Sequence, residues 1–511
     1  MPRGDSLPGC RRQSLEGWPC CVVLTSFTAL EGMAYRSMGP SRRKERSDEK
    51  SKLKHTKETP EDISLLRPDL GPSDLSLQVE DQVFPVHKSV LEEKCDYFQA
   101  MFASGMRETT QDMITLQGIS ASTFRTLLTF LYTADMDISG DVIHDVISAA
   151  SFLQISHITD FIRSSLTVDT CIDVLAASST YGPASLYDAT IQFMTDNYLE
   201  LMHDGVCDRL TRKQIEYIRE SRNEGLSRVA ILVRDEVLRT VEYLDESSGK
   251  MGVLCELPSE ARVHNAGITV MDNYLFVVGG NNPWFGAQCR AFCYNVLTGE
   301  WRQIDSLIQR RHSFSLQAVD GKLYATGGLD PACLRTVEMY DPRTDCWSVV
   351  SPLPLGITYF AGTVCLDEIY IAGGQSKSGR NPKMLCYSPA LDDWREVTSL
   401  CDPRPSIGLK MVAIGTKIYT IWVHNFDCYD IVTDQWTEMC LGYYSDGIGL
   451  LCRGATVLDS YIYCVLRTSS AESYLHQYSE EAECWKKKSS RPLPVTTGSQ
   501  IEEAFVLHVQ T

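Results

Sequence analysis

The second half of the chain alternates apolar and polar positions in short runs that end at paired glycines. The runs are MDNYLFVVGG, VDGKLYATGG and LDEIYIAGG, and they end at Gly280, Gly328 and Gly374. Alternation with a period of two predicts a β-strand, and a glycine pair lets neighbouring backbone come close. Each run therefore predicts a turn, a short strand and a close backbone approach, and none has the spacing of a helix.

A second pattern follows the glycines, in which a tyrosine precedes a tryptophan by seven residues. The five pairs are Tyr294–Trp301, Tyr340–Trp347, Tyr387–Trp394, Tyr429–Trp436 and Tyr478–Trp485. Successive tryptophans are 46, 47, 42 and 49 residues apart. A period in this range indicates a repeat architecture. One unit has room for four short antiparallel strands, and such sheets bury both faces only by stacking, for example around an axis. We expect the repeated aromatic residues to fill the space between sheets.

This repeat resembles the kelch motif, which implies an all-β, six-bladed kelch propeller over about residues 240–511. Five repeats are expected at about 262–305, 306–353, 354–400, 401–440 and 441–490. A split blade built from 240–261 and 491–511 would complete the ring. Copies four and five have IYTIW and IYCVL where the glycine pair is expected, so we predict poorer packing there.

The first half has helical spacing instead. Val90, Leu91, Phe98 and Phe102 follow a predicted hairpin, and a helix predicted to start near Ser120 carries Phe124, Leu127, Leu128 and Leu131 on one face. The words FPVHKSVL, YFQAMF and LYTADMDI are similar to the α+β BTB (POZ) domain, expected over residues 71–167. Residues 168–239 resemble a short, α-helical BACK region. The whole chain is therefore identified as similar to the BTB–BACK–kelch proteins, the kelch-like family.

Charge is distributed unevenly along the chain. The net charge is −18, yet residues 1–57 carry 12 basic and 6 acidic side chains, or +6, which leaves −24 for the rest. We expect residues 1–70 to be a disordered basic tail, with a nuclear-import signal as the alternative. The acidic remainder argues against a nucleic-acid partner. No apolar run reaches membrane-spanning length, and the 19 scattered cysteines suit free thiols, so we expect a cytoplasmic protein that could also be nuclear.

No motif in the chain predicts catalysis, a cofactor or a metal site. The sequence contains no nucleophile elbow, phosphate loop or paired carboxylate motif. His264 and His312 occupy the same repeat position, fifteen residues before a glycine pair. A metal shared between them is one interpretation, and hydrogen-bonding loop histidines are the favoured one. We therefore predict a non-catalytic protein.

The family resemblance implies two partners. In a substrate adaptor of a cullin-3 RING E3 ubiquitin ligase, the BTB domain binds the cullin-3 scaffold and the propeller binds a protein substrate, here of unknown identity. The alternative is a non-degradative scaffold or a cytoskeleton-associated kelch protein. Met106, Arg107 and Glu108 fit the hydrophobic-x-acidic motif of cullin-binding BTB domains, and this motif favours the adaptor; the other interpretation is a surface turn. A BTB homodimer is also implied, although Pro68 and Pro72 shorten any helix in the segment expected to form it.

Ligands of such propellers lie across the loops that lead into each blade and those that follow its glycine pair. The corresponding residues here, enriched in types common in interface hot spots, are His264, Trp284, Phe285, Arg311, His312, Asp330, Tyr359, Arg380, Arg404, Ser406 and His424. The arginines would give this face positive charge, which favours a ligand segment that carries carboxylates.

Overall fold

The computed structural model describes residues 62–104, 111–136, 140–234, 238–245, 250–400, 408–422, 425–439, 451–468, 472–489, 492–493 and 500–509. The amino-terminal part of this range contains five α-helices and a three-stranded sheet. The strand order is β2-β1-β3, and β1 runs antiparallel to β2 and parallel to β3. Its elements are β1 (Leu75–Val79), β2 (Gln82–Val86), α1 (Lys88–Lys94), α2 (Asp96–Ala103), β3 (Met113–Leu116), α3 (Ala121–Thr133), α4 (Gly140–Phe152) and α5 (Ser156–Ser164).

The pattern predicted for α3 is confirmed. The Ser120 side chain caps its first turn by accepting a hydrogen bond from the backbone N–H of Thr123, at 3.2 Å. The predicted apolar face, which includes Phe124 and Leu127, is buried in one core with Leu77 of β1 and Phe98 of α2. Burial of this face holds the helix on the sheet.

Ordered structure begins before residue 71, so the prediction of a disordered tail up to residue 70 is wrong for residues 62–70. Two short 3-10 helices cover Ile63–Leu66 and Pro68–Leu70. Ile63 is 1% exposed within the core of the BTB-like part, and this burial orders the segment. Residues 1–61 lie outside the described residues.

Four helices follow: α6 (Cys171–Thr180), α7 (Ala184–Asp196), α8 (Tyr198–His203) and α9 (Arg212–Arg222). Thr211 and Gln214 form a capping box at the start of α9. The helical region was predicted to extend to residue 239, but Leu226–Arg234 is strand β4. Its apolar run VAILV is buried on both faces, as in a strand enclosed by a sheet and its neighbours.

The remaining strands form six four-stranded antiparallel sheets, the blades. Blade 1 contains β31 (Gln500–Val509), β4, β5 (Arg239–Asp245) and β6 (Lys250–Glu256). Blade 2 contains β7 (Gly267–Met271), β8 (Tyr274–Val278), β11 (Ala291–Asn295) and β12 (Glu300–Ile304), and the hairpin β9 (Asn281–Asn282) and β10 (Gly286–Ala287) extends from it. Blade 3 contains β13 (Ser315–Val319), β14 (Lys322–Thr326), β15 (Val337–Asp341) and β16 (Cys346–Val350).

Blade 4 contains β17 (Ala361–Cys365), β18 (Glu368–Ala372), β21 (Lys383–Ser388) and β22 (Asp393–Ser399), with the hairpin β19 (Gln375–Ser376) and β20 (Gly379–Arg380). Blade 5 contains β23 (Lys410–Ile414), β24 (Lys417–Trp422), β25 (Asn425–Asp430) and β26 (Gln435–Met439). Blade 6 contains β27 (Leu451–Leu458), β28 (Tyr461–Arg467), β29 (Ser473–Ser479) and β30 (Cys484–Lys487).

The blades form a closed ring. Their innermost strands contact one another in the circuit β7, β13, β17, β23, β27, β31 and back to β7, and they surround a channel of about 530 Å³. Blade 1 is closed by β31 against β4, so its outer three strands precede the other blades in sequence and its innermost strand follows them. The fold class is therefore a BTB-type α+β unit, a helical region and a six-bladed propeller.

The aromatic pairs occupy equivalent places in five blades. In each blade the tyrosine and the tryptophan are directly opposite each other on the two outer strands, with ring centroids 5.0–5.3 Å apart. The indole N–H groups of Trp301, Trp347 and Trp394 donate to backbone carbonyls of the preceding blade at 2.9 Å. The pairs therefore join blades by hydrogen bonds as well as by apolar contact.

The glycine pairs allow the close approach that the pattern predicts. Gly280 has φ +100° and its N–H donates to the carbonyl of Arg311 in the next blade at 2.9 Å. A Cβ atom on Gly280 would lie 2.5 Å from a methyl carbon of Val263. Both the backbone conformation and the space therefore require glycine there.

Candidate protein-binding face of the propeller

One end of the propeller carries its longest loops and two hairpins, and we call it the loop face. It is the end at which the six innermost strands begin, and its described loops in blades 2 to 4 are residues 257–266, 279–290, 305–314, 327–336, 351–360 and 373–382. The opposite end, the turn face, carries the short turns between adjacent strands and contacts the helical region. For example, Arg219 of α9 pairs with Asp272 in the β7–β8 turn at 2.8 Å.

Two aromatic side chains project from the β9–β10 hairpin of blade 2. Trp284 is 87% exposed and Phe285 is 77% exposed. The Asn282 carboxamide oxygen accepts hydrogen bonds from the backbone N–H groups of both residues, at 2.9 and 3.2 Å, and fixes the turn. A fixed turn that presents two exposed aromatic side chains offers a partner preorganised apolar contact area.

The equivalent hairpin of blade 4 is basic. Its two strands pair Gln375 with Arg380 and Ser376 with Gly379, and Lys377 and Arg380 are exposed. Ser376 is buried and donates from its hydroxyl to the carbonyl of Gly379 at 2.9 Å, which closes the turn. The two hairpins therefore display different chemistry on the same face.

His264, His312, Asp330 and Tyr359 lie half-buried at the base of these loops. His312 shares a hydrogen bond with the Ser313 hydroxyl at 2.9 Å, burial lowers its pKa, and the nearby Asp330 carboxylate opposes that shift. The Tyr359 backbone has φ +57° and its N–H donates to the carbonyl of Ser313 in the neighbouring blade. Tyr359 also lines a cavity of about 290 Å³ at the loop-face mouth of the channel.

His264 is fixed by two arginines of blade 1. Its Nδ1 faces the guanidinium of Arg234 and, at 3.3 Å, that of Arg239. Guanidinium groups only donate, so this nitrogen is an acceptor and the ring is neutral. Burial and the two positive charges lower the pKa of His264. Among the described residues, no group of three or more His, Cys, Asp or Glu side chains is placed to hold a metal ion.

Arg311 is not on the surface, and the expectation that it contributes to the loop face is wrong. Its side chain is 0% exposed and forms a buried ion pair with Glu338 of β15. The guanidinium also donates to the backbone carbonyls of Gly327 and Thr336, at 2.8 and 2.9 Å. The side chain turns beneath the Gly327–Gly328 segment because those carbonyls and the carboxylate supply acceptors that solvent would otherwise provide.

Other predicted site residues lie outside the described residues. They are Met106, Arg107, Glu108, Arg404, Ser406 and His424.

The described loops are positively charged on an acidic protein. Apart from Arg311, which is balanced by Glu338, the six loop segments carry six basic side chains (Arg262, Arg290, Arg310, Arg335, Lys377 and Arg380) and three acidic ones (Glu260, Asp305 and Asp330). The difference is +3, against −18 for the whole chain. This part of the loop face is therefore complementary to an acidic segment of a partner.

A separate aromatic row lies in the BTB-like part. The ring of Phe152, 54% exposed at the end of α4, is 5.6 Å from that of Tyr97, which is 5.4 Å from that of Phe98. Phe98 in turn stacks on Phe102 at 5.9 Å, near the end of α2. The row runs from an exposed apolar side chain towards the segment that follows α2, residues 105–110, which lies outside the described residues.

Family models match both parts of the chain. A BTB/POZ domain model matches residues 67–170, and a kelch motif model matches residues 262–308 and 310–354. The chain is a BTB–kelch protein.

Curated BTB–kelch proteins are similar over most of the chain. Kelch-like protein 26 of Danio rerio is 25% identical, covering 83% of this chain and 89% of its own length. The human kelch repeat and BTB domain-containing protein 13 is 29% identical, covering 72% of this chain and 83% of its own length. The human kelch-like protein 26 is 24% identical over 88% of this chain and 92% of its own.

The matches coincide with structural units of this BTB–kelch protein. The BTB/POZ match covers β1 to α5, and the two kelch matches cover blades 2 and 3. Proteins of this family are generally non-catalytic adaptors, and their architecture suggests protein partners. Within the described residues, no helix is both long and apolar enough to cross a membrane.

Sequence reasoning missed several charged residues at the mouth of the channel in this BTB–kelch protein. Arg234, Arg453 and Glu502 line the 290 Å³ cavity and come from the ends of β4 and the starts of β27 and β31. They are brought together only because blade 1 is closed by the two ends of the propeller sequence. The available signal was a charged residue next to an apolar run at each site, as in VAILVR.

Proposed function

We propose that this protein is the substrate-recognition adaptor of a cullin-3 RING E3 ubiquitin ligase, in which the BTB domain binds cullin-3 and the loop face binds the protein to be ubiquitinated. The observation that carries the proposal is that the two ends of the propeller differ. The turn face is attached to the helical region that leads from the BTB domain, and the loop face presents exposed aromatic and basic side chains.

The loop face has the composition of a protein-binding surface. Trp284 and Arg380 belong to the residue types that carry most of the binding energy in interfaces, and Phe285 belongs to a type that is enriched there. The excess of basic side chains favours a partner segment rich in carboxylates, since complementary charge steers association and fixes its register. The proposed ligand is therefore an acidic segment with apolar side chains.

The cullin contact is proposed at Met106, Arg107 and Glu108. Support comes from the aromatic row of Phe152, Tyr97 and Phe102, which leads along α2 to this segment and would extend an apolar contact. Methionine filling a pocket and glutamate pairing at its rim would form a small hot spot. We place this assembly in the cytoplasm.

We also propose that the chain forms a homodimer through the BTB domain. Leu65 and Leu70 are 64% and 37% exposed in the ordered segment before β1, and a second copy would cover them. A light-scattering mass of one chain for the purified full-length protein would contradict this dimer.

The proposed function is tested by co-purification of the full-length protein with cullin-3 and with its other cellular partners. Met106→Ala with Glu108→Lys removes the anchor and reverses the rim charge, so cullin-3 recovery should fall at least tenfold while propeller partners are retained. Met113→Ala with Glu92→Lys is the matched control, since it makes the same changes at exposed sites on β3 and α1. Unchanged cullin-3 recovery from the folded Met106/Glu108 variant would refute the adaptor.

The second arm of this experiment alters the loop face. Trp284→Ala, Phe285→Ala and Arg380→Glu together should remove propeller-dependent partners and leave cullin-3 recovery unchanged. The control is Leu391→Ala with Lys486→Glu, which changes an equally exposed apolar residue at the turn face and an exposed cation on the outermost strand β30. Retention of every partner by the loop-face variant would move the binding surface elsewhere.

A further inference from the structure

Two β-bulges lie side by side at the loop-face mouth of the channel. The pairing of β27 with β28 skips from Cys452 to Gly454, so Arg453 is the extra residue. The pairing of β31 with β4 skips from Ile501 to Glu503, so Glu502 is the extra residue of the neighbouring innermost strand. A bulge interrupts the alternation of side chains and re-aims the extra one. Arg453 and Glu502 both line the 290 Å³ mouth cavity as a result.

Glu502 is shared by two guanidinium groups. Its carboxylate lies 3.0 Å from Nη1 of Arg239, which is 3% exposed, and 3.5 Å from Nε of Arg234. Arg234 also donates from Nη2 to the carboxamide oxygen of Gln500 at 2.6 Å. The Glu502 carboxylate therefore already pairs with two arginines, apart from Arg453.

Arg453 adds a third guanidinium that also interacts with Glu502. Its Nε atom is buried and has no hydrogen-bond partner among the residues that the structure describes. Burial lowers the pKa of Arg453, the positive charges of Arg467 and Arg234 lower it further, and the Glu502 carboxylate opposes the shift. A half-buried cation beside other cations is unfavourable unless an anion joins it.

The adjacent charged side chains do not neutralise the excess positive charge of these arginines. Lys410 and Glu503, which also line the cavity, pair with each other at 2.6 Å and cancel. His264 offers only a neutral acceptor nitrogen to Arg234 and Arg239. Counted over the described residues, Arg234, Arg239 and Arg453 against Glu502 therefore leave a net charge of +2 at the mouth of the channel.

We propose that the mouth cavity is a binding site for a phosphoryl dianion, held by Arg453 and Arg234. A dianion neutralises the +2 excess, whereas a single carboxylate leaves +1. Guanidinium groups present paired N–H donors that match phosphate oxygens. Tyr359 and Ser313, on the blade 3 and blade 4 side of the cavity, add hydroxyl groups within the same lining. A volume of about 290 Å³ accommodates the group.

The proposal is tested separately from the adaptor function, because the measurements use neither cullin-3 nor a protein substrate. The phosphoryl group has two sources with the same chemistry, a phosphorylated side chain of a captured protein or a free small phosphate. Both are tested by direct binding to the full-length protein.

The first experiment measures binding of inorganic phosphate by calorimetry and by the change in Tm at constant ionic strength, with sodium acetate and sodium chloride as comparisons. Phosphate should bind saturably and raise Tm, and acetate and chloride should not. Arg453→Gln should weaken phosphate binding at least tenfold. The matched control is Arg228→Gln in β4, whose arginine pairs with Asp245 at 3.7 Å and does not line the cavity.

Arg453→Gln removes an uncompensated charge, so it should leave Tm without phosphate unchanged or higher. Should it fail to fold, ³¹P line broadening with the wild-type protein, reversed by sulfate, gives an independent measure. An equal response to phosphate and acetate, an absence of saturable phosphate binding, or equal affinities for the Arg453→Gln and Arg228→Gln proteins would each overturn the proposal.

The source is distinguished with N-acetyl-phosphoserine amide and pyrophosphate. Tighter binding of the phosphoserine compound than of inorganic phosphate assigns the site to phosphorylated protein segments. Tighter binding of pyrophosphate assigns it to free phosphates. Either ranking supports a phosphoryl site, and loss of both in Arg453→Gln is required.

Discussion

The charge of Arg311 is compensated entirely inside blade 3. Glu338 accepts from its guanidinium and also from the backbone N–H groups of Ile308 and Gln309, at 2.7 and 3.0 Å. One ion pair therefore ties the segment that leads into blade 3 to strand β15. Breaking a buried pair by removing one partner leaves an uncompensated charge, which is more costly than replacing both partners.

We predict that Arg311→Met destabilises the propeller by about 3–5 kcal/mol, because the Glu338 carboxylate would remain buried without its cation. The neighbouring Arg310→Met is the control, since Arg310 is exposed and its loss should change stability by less than about 0.5 kcal/mol. Urea unfolding followed by tryptophan fluorescence compares the two. Equal stability of the two variants, with partner binding lost only in Arg311→Met, would assign Arg311 to a ligand after all.

Arg311 and Arg380 also mark the limit of sequence reasoning at this scale. Both are arginines in loops of a recognisable repeat, and residue type with repeat position placed both on one end of the propeller. Whether a side chain turns inward depends on a buried acceptor, here Glu338, which lies 27 residues along the chain. The spacing of residues within the repeat pattern does not show which loop arginine has such a buried acceptor.

At the scale of one blade, the aromatic pair belongs to a larger unit than the sequence pattern suggested. In blades 3, 4 and 5 the tyrosine hydroxyl donates at 2.7 Å to an aspartate five residues later, at Asp345, Asp392 and Asp434. These aspartates have φ of +48° to +54°, and the side chain of Asp392 also accepts from the backbone N–H of Ser351 in the preceding blade at 2.8 Å. Asp392 thus joins its own turn, the tyrosine and the preceding blade.

We predict that Asp392→Ala destabilises blade 4 by about 1–3 kcal/mol, since it leaves the Tyr387 hydroxyl and the Ser351 N–H without their acceptor and places alanine at positive φ. Asp393→Ala is the matched control, because Asp393 is the next residue, is exposed and makes neither contact. The measurement is the Tm of each full-length variant. A Tm for Asp392→Ala equal to that of Asp393→Ala would contradict the joining role of this aspartate.

The elements were predictable where their signal is local and repeated. Strand alternation, the glycine pairs and the Tyr–Trp offset gave the repeat, and each of the five uninterrupted sheets lies within its expected segment. Strand β4 was missed because it follows α9 after only three residues and pairs with β31, more than 260 residues away. The interblade bond of the tryptophan also changes in the later copies: Trp436 donates to the Thr398 hydroxyl at 3.3 Å instead of to a carbonyl.

At the scale of the whole described chain, one buried side chain bonds to both the helical region and the propeller, within a core that the two share. Arg222, at the end of α9, is 0% exposed. Its guanidinium lies 3.8 Å from the centre of the Tyr274 ring and donates to the carbonyls of Thr195 and Asp272 and, at 3.0 Å, to the carboxamide of Asn295. These acceptors belong to α7, to the β7–β8 turn and to the end of β11. The residue therefore fixes two helices to the turn face at once.

This contact would fix the distance and orientation between the two proposed binding surfaces, the BTB domain and the loop face. A ubiquitin ligase adaptor has to hold its substrate at a defined position relative to the scaffold, and a loose connection between helices and propeller would spread that position over many orientations. Arg222 pairs with carbonyl and amide oxygens and an aromatic face, so its geometry is set by directional donors in a region without solvent. These contacts favour a rigid connection between the helical region and the propeller.

We predict that Arg222→Ala loosens this connection and leaves both partner contacts intact. Amide hydrogen exchange in α9 and in the β7–β8 turn should accelerate at least tenfold, because the truncation leaves the Thr195 and Asp272 carbonyls unpaired in a buried interface. Arg219→Ala is the matched control: it is one turn away on α9, its side chain is 47% exposed, and its ion pair with Asp272 is partly solvated, so exchange should change less than about twofold. If Arg222→Ala and Arg219→Ala exchange alike, the connection does not depend on the buried arginine. If exchange accelerates but ubiquitin transfer to a bound substrate stays at the wild-type rate, the connection is real and the spacing argument fails.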